Sequence, residues 1–273
     1  MQLLGGAALS AAGFATYTSV VEPHWFDVES IALAVPNLPT SADGLRVAQI
    51  SDIHFSKYTQ AEKVASAVAR INALAPDLVV ITGDHIGHDD HEKRSLVEPL
   101  RQLTAPAFAV LGNHDTWPDR RSVRRLLEDG GVKVLINQSV EVAGGVHLAG
   151  VDDIWIGRPD LRAALRDIPV NETTLLMVHE PDYFDRVIAA DAPVAVQFSG
   201  HSHGGQVRIP VVEGNRLRTV APVLPRYGRR YPIGLRAVGG RHVYTNRGLG
   251  VWPLPVRLNC RPEISLFTLS QVG

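Results

Sequence analysis

The chain has 273 residues, 45% of them hydrophobic and 20% charged, enough to bury a sizeable core and too apolar for a disordered segment. A formal net charge of −1 argues against a general nucleic-acid binder. The single cysteine, Cys260, excludes an internal disulfide framework and a cysteine-rich metal site, so any metal must be held by His, Asp, Glu or Asn.

Residues 1–22 form an apolar segment, with no charged side chain before Glu22, rich in Gly, Ala, Ser and Thr. It is a weak candidate for a membrane span and lacks a basic start. Its readings are the remnant of an export signal, a membrane anchor, or a buried Ala-rich helix. Residues 23–273 are expected to form one domain.

Residues 25–35 alternate loosely and predict a strand. Arg46 to Ile50 predicts a buried strand that ends at Ser51-Asp52. Ala61 to Leu74 has helical spacing, with Val64, Val68, Ile71 and Leu74 on one face. Leu78 to Thr82 predicts a second buried strand, followed by a polar loop with Asp84, His85, His88, Asp89, Asp90 and His91. A helix near 93–103 leads to a strand at Ala107 to Leu111, then Gly112-Asn113-His114-Asp115 and a helix near 120–128.

The second half predicts more strands, near 132–136, 140–142, 146–150, 174–178 and 194–198. The strand at 174–178 runs into His179, and the one at 194–198 into Gly200-His201-Ser202-His203. Strands near 242–245 and 264–269 are expected to close a second sheet. Residues 201–273 hold 11 arginines, no lysine and two glutamates, whereas the first 200 residues carry 16 basic and 26 acidic side chains. The cluster Arg216, Arg218, Arg226, Arg229 and Arg230 reads either as a solvated loop or as a surface for phosphate substrates or anionic headgroups.

Strand–helix alternation with short links predicts an α/β fold. The polar residues that follow buried strands are Asp52, His54, Asp84, Asn113, His114, His179, His201 and His203. Carboxylates, an amide and imidazoles suit a borderline divalent metal such as Mn, Fe or Zn. Seven donors exceed one tetrahedral ion and suit two ions sharing a bridging carboxylate.

Asp52-x-His54, Gly83-Asp84, Gly112-Asn113-His114-Asp115, His179 and Gly200-His201-x-His203, in this order, resemble the calcineurin-like metallophosphoesterase superfamily. A narrower likeness, in His179-Glu180-Pro181-Asp182, in GHSHGGQ and in the C-terminal run YTNRGLGVWPLPVRLNCRPEISLFTL, is to bacterial membrane-associated or exported members of the YkuE/YaeI type. The resemblance implies a four-layer α/β/β/α sandwich with two mixed sheets and a metal site at the carboxyl ends of strands. It implies two divalent ions, Asp52, His54 and His203 on the first, Asn113, His179 and His201 on the second, and Asp84 between them. A hydroxide between the ions would attack phosphorus, with His114 facing the leaving oxygen and Asp115 orienting His114.

The implied substrate is a phosphate ester, as a phosphodiesterase or phosphatase would take, from the cell envelope or linked to lipid. A UDP-2,3-diacylglucosamine-type pyrophosphate is one alternative. A non-catalytic metal-binding scaffold is the alternative of another class. His85, beside Asp84, is expected at the cavity mouth as a substrate contact, together with Arg226, Arg229 and Arg230. The acidic first 200 residues make long nucleic acid a poor partner. The expected location is the bacterial cell membrane, on its extracytoplasmic side, with the cytoplasmic leaflet as the alternative.

Overall fold

The structure, a computed structural model, describes residues 11–87 and 93–272. The first ten residues of the apolar segment, and His88, Asp89, Asp90 and His91, lie outside the described residues.

Among the described residues from Asp27 onward the chain forms fourteen strands and five α-helices. The first sheet contains β1 (Asp27–Val35), β2 (Arg46–Ile50), β3 (Leu78–Thr82), β4 (Ala107–Val110), β5 (Val132–Val134) and β14 (Glu263–Gln271), ordered β1-β14-β2-β3-β4-β5. The second contains β6 (Gln138–Ala143), β7 (Val146–Gly150), β8 (Thr173–Met177), β9 (Val196–Ser199), β12 (Gly234–Val238) and β13 (Arg241–Thr245), ordered β12-β13-β9-β8-β7-β6. β10 (Ile209–Glu213) and β11 (Arg216–Val220) pair only with each other, as an antiparallel hairpin.

Both sheets are mixed. β2, β3, β4 and β5 run parallel, and β14 enters antiparallel to β2. In the second sheet β7, β8, β9 and β13 run parallel, with β6 and β12 antiparallel at the edges. One expectation is corrected here. The strand at 264–269 does not close the second sheet but inserts into the first, between β1 and β2. Its run is buried on both faces, so the sequence marks it as a central strand without saying of which sheet.

The alternation of side chains along each strand makes the layers. Ala48, Ile50, Val79, Ile81 and Ala109 face the helices α1 (Ala61–Ala73), α2 (Val97–Arg101) and α3 (Thr116–Asp129). α1 meets them with Val64, Ala67, Val68 and Ile71, the spacing of one helical face, and α3 with Val123, Leu126 and Leu127. The other face of the same strands presents Val47, Leu78, Val80, Phe108 and Val110 to Leu148, Leu175, Met177, Val196 and Phe198 of the second sheet. That sheet's outer side, with Ala149, Leu176 and Val243, is covered by Ala164 of α4 (Leu161–Leu165) and by Phe184 and Val187 of α5 (Phe184–Ala189). The order is helices, sheet, sheet, helices.

A polar contact crosses between the sheets beneath the strand ends. The buried Gln49 side chain donates to the Thr82 hydroxyl at 3.0 Å and to the Ser199 carbonyl at 2.9 Å. At the N-terminus, residues 11–16 are helical and exposed, and Tyr17–Val21 continue as a π-helical turn. Among the described residues no helix is long and apolar enough to cross a membrane.

Candidate metal centre

Seven side chains from five strand ends converge. Asp52 and His54 follow β2, Asp84 follows β3 and Asn113 follows β4, while His179 follows β8 and His201 and His203 follow β9. All seven are buried. The structure brings Asp52, His54 and His203 together as one group able to hold a metal ion, and Asp84, His179 and His201 as a second. Asp84 touches both, with its Oδ2 3.5 Å from His54 Nε2 and 3.2 Å from His179 Nε2. Within the first group His203 Nε2 lies 3.1 Å from His54 Nε2 and 3.4 Å from Asp52 Oδ1. Within the second, His201 Nδ1 is 3.2 Å from His179 Nε2.

The backbone is bent to aim these donors. Asp52, His54, Asp84, His201 and His203 all have positive φ, between 42° and 67°, a region that non-glycine residues seldom occupy. Such strain collects where surrounding structure over-determines it, as at functional sites. Two glycines make room. A Cβ on Gly112 would collide with the Asp84 carboxylate, and one on Gly200 with Ser51 and with Asp52 Oδ2. This is the physical content of glycine preceding Asn113 and His201.

Outer contacts fix which ring nitrogen faces the site. His179 Nδ1 donates to the Thr82 carbonyl at 2.7 Å, which leaves Nε2 toward Asp84. His201 Nε2 donates to the Arg226 carbonyl at 2.7 Å, which leaves Nδ1 inward. The Asp52 carboxylate accepts the backbone N–H of His201, and Asp84 Oδ1 accepts that of His114 at 2.8 Å.

Burial and charge set the protonation states. Burial holds His54 and His201 down at about 3 and His203 well below the usual imidazole value. Neutral imidazole is the form that binds metal. Burial pushes Asp52 up to about 7. Burial would also lower His179 and raise Asp84, but their mutual attraction outweighs it, holding His179 well above its ordinary value and Asp84 well below.

The donor set fits a pair of divalent ions. Asn113 Oδ1 is buried and has no hydrogen-bond partner among the described residues, a cost that a ligand to its oxygen would relieve. Neutral imidazoles, carboxylates and an amide oxygen are the donors that Mn, Fe and Zn share.

The centre opens into a cavity of about 650 Å³. His54, Asp84, Asn113, His114, His201 and His203 line it together with apolar surface from Trp155, Ile156, Val223 and Leu254. Trp252 stacks on the His54 ring, with centroids 5.6 Å apart, and meets His114 edge-on at 4.7 Å. Trp155 packs edge-on against His201 at 5.8 Å. Sequence reasoning missed both tryptophans. Their only signal was an aromatic beside a turn, far in sequence from the histidines they touch. The loop that carries Trp252 is fixed from within by the fully buried Arg257, which donates to the carbonyls of Arg247, Gly248, Gly250 and Cys260.

The remaining expected residues fall differently. His85 is not at the mouth. Its side chain is 0% exposed, with Nδ1 2.8 Å from Asp115 Oδ2, so it cannot touch substrate. The Asp115 carboxylate accepts from His85, from the backbone of Ile86 and from that of Gly112, and so braces the turn that carries His114. Arg226 lies over the Tyr227 ring, and Arg230 pairs with Asp185 at 2.9 Å. Asp182 accepts the backbone N–H groups of Arg229, Arg230 and Tyr231. The exposed guanidinium groups of these arginines lie outside the residues that line the cavity.

Comparison with known proteins agrees with this arrangement. The calcineurin-like phosphoesterase family matches residues 45–205. The metallophosphoesterase YkuE of Bacillus subtilis is 35% identical over 280 residues, covering 99% of this chain and 94% of that protein. Phosphodiesterase YaeI of Escherichia coli is 30% identical over 282 residues, covering 98% and 97%. UDP-2,3-diacylglucosamine pyrophosphatase LpxG of Chlamydia muridarum is 27% identical over 303 residues, covering 90% of each chain.

Proposed function

The chain belongs to the calcineurin-like phosphoesterase family, and from that premise we propose that it hydrolyses phosphate esters carrying an apolar or lipid group. The observation that carries this reading is the mixed lining of the cavity, where buried metal-type donors share the surface with Trp155, Ile156, Val223 and Leu254. A small hydrophilic ester has no use for that apolar lining, whereas an acyl or prenyl chain gains about 0.8 kcal/mol per methylene it buries. The name of the Chlamydia relative, a hydrolase of a diacylated sugar nucleotide, supports the same substrate class.

In this reading Asp52, His54 and His203 would hold one divalent ion and Asn113, His179 and His201 the other, with Asp84, which touches both groups, serving both. Bound there, the ions would supply activation of water at neutral pH and charge neutralisation at the phosphoryl oxygens. The chain's own residues do the rest. His114 lines the cavity, has its backbone pinned to Asp84 Oδ1 and packs its ring edge-on against His54 and Trp252. From there it would hydrogen-bond the leaving oxygen and pass it a proton. Asp115 acts on His114 by bracing the turn. Trp252 closes one side of His54 and His114 against water.

The test is hydrolysis by metal-stripped protein with Mn restored. A soluble aryl phosphate monoester and diester would be compared with a diacylated phosphodiester and a diacylated pyrophosphate. The expected result is activity that returns with metal and a kcat/KM that rises with acyl length. Failure to take up metal would overturn the enzyme reading, and indifference to acyl length would overturn the lipid substrate.

A further inference from the structure

The β10–β11 hairpin holds the most solvent-exposed strands among the described residues. It pairs with neither main sheet, and nearly every residue in it is exposed or half-exposed. A two-stranded ribbon is marginal in water on its own. Its register sets Val212 directly opposite Leu217, and these apolar side chains are 75% and 73% exposed. Ile209 and Val220 form a second opposed apolar pair at its base, also exposed. Positions three apart on a strand face opposite ways, so each side of the ribbon carries one exposed aliphatic pair, with Val212 and Leu217 the more exposed of the two.

The hairpin is built into the mouth of the cavity. The chain enters it from Gly205, Gln206 and Val207 and leaves it into Pro222 and Val223, all of which line the cavity. Its root is clamped by Arg208, which donates to the Gly204 carbonyl at 2.7 Å and to the Thr219 hydroxyl and carbonyl at 2.9 and 2.6 Å. Val207 forms a bridge with Leu258, and the neighbouring Arg257 donates its backbone N–H to Thr18 of the N-terminal segment at 2.8 Å. That segment exposes Phe14, Val20 and Val21. Two apolar surfaces are thus tied to adjacent residues of one loop.

Charge selects the occupant. Arg216 and Arg218 lie on the hairpin, and Arg226 and Arg229 follow it. Arg218 pairs with Glu213, but Arg216, Arg226 and Arg229 have no carboxylate partner among the described residues. Exposed aliphatic side chains flanked by arginines match the two layers of an anionic bilayer surface, acyl chains beneath phosphates. A basic flank gives an apolar protein partner no such complement.

From this we infer that the β10–β11 hairpin is a membrane-docking edge: Val212 and Leu217 enter the headgroup boundary of an anionic bilayer, and the cavity mouth is thereby set against the lipid surface. The inference rests on the lipid-substrate reading only for why the mouth should face lipid. Docking itself is independent of turnover and is measured without it.

The experiment uses the full chain and vesicles of phosphatidylglycerol and phosphatidylcholine in equal parts, with pure phosphatidylcholine as control. Sedimentation with the anionic vesicles is expected, and it should weaken as salt rises. The double variants Val212→Asp/Leu217→Asp and, more mildly, Val212→Ser/Leu217→Ser should reduce partitioning by roughly tenfold or more, with metal-dependent hydrolysis of a soluble aryl ester unchanged. A polarity-sensitive dye on Leu217→Cys should blue-shift on anionic vesicles, since native Cys260 is buried and will not compete for label. Equal vesicle binding by native and both double variants, or a dye that stays in water, would overturn the inference. So would a concentration-dependent dimer that the variants abolish while vesicles are ignored, which would assign the hairpin to a second copy. Vesicle docking without ester hydrolysis would leave the hairpin's role standing and overturn the phosphoesterase reading alone.

Discussion

The Nε2 atom of His179 lies 3.2 Å from Oδ2 of Asp84, and both side chains are buried. Each group is held in its charged form by the other against the pull of burial. Without metal this is an imidazolium–carboxylate pair, and an ion entering the site must displace the proton from His179.

That exchange sets the sign of the pH dependence. Metal ligands bind deprotonated, and His54, His201 and His203 are already neutral at neutral pH. Asp52, pushed up to about 7, and His179, raised well above its usual value, still carry protons below pH 7. Metal affinity should therefore rise with pH, and fewer protons should be released per ion above about 7 than below it. Calorimetric titration at pH 6 and pH 8, in buffers of different ionisation enthalpy, reads that count. An unchanged count would contradict these assignments.

Asp84 and His114 should separate on mutation. Asp84→Asn removes the charge shared by both groups and should lower metal content and cut activity at least about a hundredfold. His114→Ala should leave two ions bound while kcat falls about 10²–10⁴-fold. Elemental analysis beside steady-state kinetics distinguishes the two. Equal metal loss in both variants would make His114 a ligand.

Gly112→Ala puts a Cβ against the Asp84 carboxylate and its backbone. Overpacking at a buried site costs about 1–3 kcal/mol. Urea unfolding of metal-stripped protein should show that loss, together with weaker metal uptake. Wild-type stability would mean that the turn relaxes away from Asp84.

Trp155 and Leu254 border the apolar side of the cavity, and both are partly exposed. Trp155→Ala with Leu254→Ser should lower kcat/KM for a diacylated ester roughly tenfold, and leave a small aryl ester within about twofold. A parallel loss on both substrates would show that the wall supports the centre rather than the substrate.

The donors were legible because each buried strand is a short apolar run that stops at a polar residue, as at Ile50, Thr82 and Val178. Pairing partners were not. The run Ile264–Leu269 reads as a strand whichever sheet it joins, and its place beside β2 is decided by packing across 200 residues. The hairpin escaped notice because it is exposed on both faces and lacks the alternation that marks a half-buried strand. His85 was misjudged because adjacency to Asp84 along the chain does not fix its direction. After the bend at Asp84, its ring turns inward onto Asp115.

The centre is shared between the two sheets. Asp52, His54, Asp84 and Asn113 hang from the first, and His179, His201 and His203 from the second, with Gln49 as the rung between them. The distance between donors is therefore a property of how two slabs are stacked, and a small shear between them would change the spacing of the ions. Phe198 and Phe267, in edge contact at 4.8 Å within that stack, work as a spacer for a reaction they never touch. Repacking them would tune the centre as a vernier tunes a scale, and the bound ions would in turn rivet the slabs together.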